Sequence, residues 1–139
     1  MPYTTEASMT AQFSKKELAE LTQTDNIPEI DSAVLDRAIA EADAEIDSYL
    51  SLRFATPLTV VPGRIRDISG DIARYRLYDR TAPDMVAERY NNAIRDLIAL
   101  RDGKLNLPGI VERSASDESP VVQFVESPQD WSRANRGWF

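Results

Sequence analysis

The chain has 139 residues, of which 42% are hydrophobic and 28% charged, and a net charge of −7; this is the size and balance of one folded domain, not of a disordered chain. It contains no cysteine and no histidine, which excludes disulfides, thiol catalysis, thiolate zinc sites and an imidazole acting as base or metal ligand. The acidity argues against a surface that gains its affinity by neutralising nucleic-acid phosphates.

The opening "MPYTTEASMT" lacks the basic and apolar regions of a secretory signal, and no apolar run is long enough to span a bilayer, so a cytoplasmic setting without a membrane is expected. Thr4 or Thr5 is placed to cap a short helix carrying Met9 and Phe13. Ser14 and Glu17 have the spacing of a capping box just ahead of Leu18 and Leu21, which predicts a second short helix. The polar run "TQTDN" and Pro28 then predict a loop.

From Asp31 to about Phe54, Leu35, Ala38, Ile39, Ala42, Ile46, Tyr49 and Leu50 recur at helical spacing. Asp31 is the expected cap, Ile30 and Leu35 the expected hydrophobic staple, and the helix would be roughly 35 Å long. "ATPLTVVPG" follows, and its prolines predict an extended crossover because proline lacks the amide hydrogen of a helix interior. A second long helix is expected from about Arg64 to Arg80, with Ile65, Ile68, Ile72 and Tyr75 as its stripe; Leu77 and Tyr78 widen the stripe, as suits a central helix. "TAPD", at Thr81 to Asp84, reads as the start of a third long helix carrying Val86, Tyr90, Ala93, Ile94, Leu97 and Ile98, with Gly103 just past its end. The expected fold class is therefore all-α: a small helical bundle of three long and two short helices.

Beyond Lys104 the helical pattern stops, which divides the chain into a helical domain over 1–103 and an extended C-terminal arm over 104–139. Within the arm "SASDESP" is flexible by composition, whereas "VVQFVE" places Val122 and Phe124 on one side of a short candidate strand. Leu58 to Val61 is a weaker strand candidate. A lone strand must pair with an edge or with another chain. The arm ends in "DWSRANRGWF", where Trp131, Arg133, Arg136, Trp138 and Phe139 are of the types most enriched at binding hot spots. These five residues, with Val122 and Phe124, are the expected partner-binding set, on a neighbouring subunit or another protein.

No catalytic constellation is legible. Glu41 with Glu45, and Asp43 with Asp47, stand one turn apart on the long helix and read as a solvated face rather than a metal site. The scattered glycines build no phosphate loop, and no histidine is present to activate a serine. The expectation is no enzyme, no cofactor and no metal. Arg66, Arg74, Arg76 and Arg80 alternate with aspartates; they read mainly as a mixed-charge helix surface and secondarily as intersubunit contacts. Tyr49, Tyr75, Tyr78 and Tyr90 read as packing residues with their hydroxyls at the surface.

"DAEIDSYLSLRFATPL", "VPGRIRDISGDIARYRLYDR", the third-helix pattern "P-x-x-V-x-x-RY-x-x-A" and the aromatic-basic ending together resemble the head-tail connector, or adaptor, family of Mu-like phages and prophages. The resemblance implies a virion structural protein of the neck, made in the host cytoplasm. Such a protein forms a dodecameric homo-oligomeric ring beneath the portal protein, extends the DNA channel and offers a platform to a tail-side neck or tail-terminator protein. It also implies that the arm after Gly103 reaches the portal and that DNA passes without sequence-specific binding. A channel of negative charge would repel phosphates and let DNA slide. The alternative is a small DNA-binding regulator using "TTEASMTAQFSKKELAEL" as a helix-turn-helix, in which only Lys15 and Lys16 are basic.

Overall fold

A computed structural model describes residues 2–25, 27–78, 81–110 and 112. Among them the chain forms five helices and no named strand: α1 (Glu6–Gln12), α2 (Lys15–Thr22), α3 (Ser32–Leu50), α4 (Gly63–Tyr78) and α5 (Asp84–Arg101). The all-α reading therefore holds.

Local sequence signals set most of the helix starts. The Thr5 hydroxyl accepts from the Ser8 amide, the Ser14 hydroxyl accepts from the Glu17 amide, and the Asp31 carboxylate accepts from the amides of Ala33 and Val34. Each satisfies an amide that the first helical turn leaves unpaired. The Ser14–Glu17 capping box is only half made, because the Glu17 side chain turns away to Arg74 and Tyr78. At α5, Pro83 occupies the cap position without a side-chain bond, and Asp84 places its charge in the first turn. The Gly103 position beyond α5 has φ of 83°, the left-handed conformation that glycine adopts most easily.

The apolar stripes then choose the packing. Leu35, Ile39, Ile46 and Leu50 of α3, Ile65 and Ile72 of α4, and Leu97 and Leu100 of α5 are buried in one cluster. Each such side chain contributes on the order of 2 kcal/mol on leaving water. α4 touches every other helix, so the widened stripe at Leu77 and Tyr78 does mark a central element. α1 and α2 lie against α3 and α4 and add Met9, Phe13 and Leu18 to the core.

Two boundaries differ from the sequence reading. α3 ends at Leu50, and residues 51–54 form a turn in which the Arg53 and Phe54 amides both reach back to the Leu50 carbonyl. The segment around Leu58 is not a strand; Leu58 is buried and its amide donates to the Tyr3 hydroxyl. Packed structure also continues past Gly103: Leu107 is buried in the core, with Leu105 and Ile110 against it. "VVQFVE" lies outside the described residues.

Candidate interaction site

The end of the described chain is fastened by one arginine. Arg53, in the turn after α3, donates through Nη1 to the carbonyls of Leu100 and Leu105, each at 2.7 Å. Its Nη2 donates to Asn106 Oδ1 at 2.6 Å and to Glu112 Oε2 at 3.1 Å. The flat five-donor guanidinium suits this use, since it serves acceptors on two sides while remaining charged. The neighbouring Phe54 is buried, lies under the Arg53 guanidinium at 4.9 Å and forms an isolated antiparallel bridge with Glu112. Glu112 is solvent-exposed, and the hydrogen bond and charge of Arg53 hold its carboxyl below the ordinary range. Arg53 and Phe54 thus hold Glu112, the last described residue, against the turn after α3. The sequence reading did not single out Arg53, because its partners are 47 to 59 residues away.

Val122, Phe124, Trp131, Arg133, Arg136, Trp138 and Phe139 lie outside the described residues, as does Arg80. The other three arginines of α4 differ from one another. Arg74 is 9% exposed; it grips Glu17 of α2 through Nε and Nη2 at 3.0 and 3.1 Å and stacks over Phe13 at 4.5 Å. Its charge is satisfied inside the subunit: a nearly buried guanidinium with a forked carboxylate partner has little to offer a neighbour. Arg76 reaches Glu45 at 2.7 Å and Glu41 at 3.9 Å but stays partly exposed, and Arg66 is exposed.

The acidic face of α3 is not a merely solvated one. Asp43 accepts from the Tyr3 amide at 3.2 Å and the Ser69 hydroxyl at 3.0 Å, while Asp47 accepts from the Tyr3 hydroxyl. Burial raises the Asp43 pKa, with the hydrogen bonds opposing and the Asp47 charge assisting. Glu45 accepts from Arg76 and from Tyr90, whose ring stacks on Tyr75 at 4.0 Å and whose pKa burial pushes up to about 12. Helical periodicity did not reveal this, because a carboxylate buried against tyrosines has the same spacing as one in water. Between α4 and α5 runs a charged cleft of about 470 Å³. There Arg64 bonds Asp96 at 3.2 Å and Arg89 Nη2 lies 3.1 Å from Asp71 Oδ1, a charge pair whose geometry falls short of a hydrogen bond. Among the described residues no group of three or more acidic side chains is arranged to hold a metal ion, and no helix is long and apolar enough to cross a membrane.

The sequence profile described as Bacteriophage Mu, Gp36 matches residues 3–125. The chain belongs to the Gp36 family of bacteriophage Mu. Within that family it is similar to gene product J of Escherichia phage Mu, 33% identical over 143 aligned residues that cover 99% of each chain. It is also similar to the Mu-like prophage FluMu protein gp36 of Haemophilus influenzae, 29% identical over 132 residues that cover 94% of this chain and 93% of the relative. The Gp36 match begins at the buried Tyr3, takes in the Arg53 clamp and continues through Val122 and Phe124. It stops before Trp131, whereas the alignment with gene product J takes in nearly all of the tail.

Proposed function

We propose that this Gp36-family chain is a virion structural protein, a head-tail connector that assembles as a dodecameric ring beneath the portal, extends the DNA channel and forms the platform for tail attachment. The observation that carries the reading is the anchored departure of the arm. The bundle is closed around its own core, Arg53 holds Leu105, Asn106 and Glu112 on it, and the residues of hot-spot character lie beyond that point in the sequence. Membership of the Gp36 family supports a place in a Mu-like particle.

In this reading α3, α4 and α5 form the ring wall, with Arg66 and Arg76 at the exposed α4 surface available for side-to-side contacts. The arm after Glu112 docks through Val122, Phe124 and the Trp131–Phe139 segment on the portal or an adjacent subunit. A tail-side neck or terminator protein binds the opposite rim. The net charge of −7 favours a channel that repels DNA phosphates, so that DNA passes without lodging. The protein performs no catalysis and takes no cofactor. The regulator reading has less support from the geometry: α2 turns Leu18, Ala19 and Thr22 inward, and its Glu17 is held by Arg74.

Deleting residues 114–139 is expected to leave the helical circular dichroism unchanged and to abolish binding to portal rings and the joining of tails to heads; full portal binding by the truncated chain would overturn the docking role. Light scattering of the purified chain, alone and with portal, reads ring formation directly.

A further inference from the structure

We propose that a cleft between the N-terminal segment and α3 receives the Trp131–Phe139 end of a second copy of this chain, with Arg133 and Arg136 meeting its carboxylates. The inference rests on the reading of the tail as a docking arm and names the surface that receives it.

The cleft has a volume of about 590 Å³, within the range of sites that enclose a bulky ligand group. Glu6, Asp36, Asp43 and Asp47 line it, and among the described residues no basic side chain does. Its apolar floor includes Ala40 and Ala44, small residues exposed on α3 that leave room for a large ring. Thr4, also on the lining, is 1% exposed, and its hydroxyl has no hydrogen-bond partner. A buried polar atom without a partner is uncommon and costly, and it points to a group that arrives from outside. Asp43 is raised in pKa by burial and by its neighbour Asp47, a cost that an incoming cation would relieve.

The tail fits by charge and by shape. From Trp131 to Phe139 the chain carries two arginines, two tryptophans, a phenylalanine and no acidic side chain. Forked guanidinium groups match carboxylates, and the rings match a cleft floored by small apolar residues. Reach is ample: residues 113–130, fully extended, span up to about 60 Å, roughly twice the length of α3.

The direction of the described chain before Glu112 points to a second copy, and the mixing experiment below decides between it and the same subunit. In the antiparallel bridge of Phe54 with Glu112, residues before Glu112 run beside those after Phe54, and Gly109 and Ile110 indeed lie by Ala55 and Val60. The chain therefore reaches Glu112 travelling from Pro57 toward Arg53. Pro57 borders the acidic cleft, so the described chain leads away from the cleft of its own subunit as far as Glu112.

Both tryptophans of the chain are in the tail, so the intrinsic emission of the full-length protein reports docking. The wild-type chain should show emission that moves to shorter wavelength as concentration rises. Asp36→Arg, and separately Ala40→Arg, change exposed α3 positions in the cleft and should weaken this association by roughly tenfold or more, with helical circular dichroism unaltered. A chain with Arg133→Asp and Arg136→Asp should fail in the same way. Mixing the Asp36→Arg chain with this arm variant should restore the short-wavelength emission, because one supplies an intact arm and the other an intact cleft. Three results would overturn the proposal: water-exposed emission of the wild type at the highest attainable concentration, no effect of either cleft substitution, or a shift independent of concentration that mixing fails to restore, which would place the tail in its own cleft. The assay contains no portal, so its failure leaves the connector reading standing if tail deletion still abolishes portal binding, and failure of portal binding leaves this assay intact.

Discussion

Arg53 is the side chain whose loss should be felt furthest along the chain. Arg53→Ala leaves the Leu105 carbonyl without its donor, while the Leu100 carbonyl keeps the Gly103 amide, and the expected cost is about 2 kcal/mol, seen as a lower urea midpoint. Arg53→Lys should recover only part of it, because an ammonium cannot reach acceptors on both sides as the planar fork does. Thr4→Val acts in the opposite sense: it removes a buried hydroxyl without a partner while keeping the branched shape, so the dilute protein should gain about 1 kcal/mol, measured by thermal melting. Neither position was legible in sequence. Thr4 was read only as one of two cap candidates, and Thr5 makes the cap. The role of Arg53 depends on a chain segment that returns after two further helices, and no local spacing encodes that.

At the scale of single helices the sequence was far more informative, since caps and apolar stripes are local. Asp31, Ser14 and Thr5 start their helices as read, and Asp31→Ala should cost about 1 kcal/mol through the loss of its bonds to Ala33 and Val34. Gly70, inside α4, marks where α1 approaches: a methyl group there would lie 2.5 Å from Gln12 Oε1. That atom ends a flexible side chain and can swing aside. Gly70→Ala is therefore expected to raise stability by up to about 1 kcal/mol from helix propensity, with the melting temperature as readout. What a helical stripe does not report is the fate of polar positions beside it. Asp43, Glu45, Asp47 and Arg74 all sit where a solvated face was expected, yet tyrosines, Ser69 or Glu17 from other elements cover them. The end of α3 was misjudged for a related reason, because Phe54 continues the apolar pattern while its backbone already serves the bridge to Glu112.

For the molecule as a whole, these buried acids shape the pH dependence. Asp43 and Asp71 have pKa values raised by burial, so the folded chain takes up protons before the unfolded one as pH falls from neutrality. Their contribution to stability grows through the raised pKa and is complete below 3.8, the ordinary aspartate value. Glu112 runs the other way: its lowered pKa favours folding above 4.5 and that share disappears as pH falls through the lowered value. Stability should therefore rise as pH falls from neutrality and turn over only below pH 4.5, where the Glu112 share is lost, and Asp71→Asn should flatten the rise, as a series of urea midpoints against pH will show. In base, the stability tied to Tyr90 is whole below pH 10.0 and lost as pH rises through about 12, so Tyr90→Phe should unfold less steeply there.

Tyr3 carries a consequence for the birth of the chain. Its side chain is 2% exposed, and its partners Asp43, Asp47 and Leu58 follow it by 40 to 55 residues. A ribosome adds roughly 5–20 residues each second, so this tyrosine exists for several seconds before its last partner has been made. During translation the N-terminal segment must stay undocked while α3 and the crossover emerge, and the subunit can close only after its middle has been synthesised.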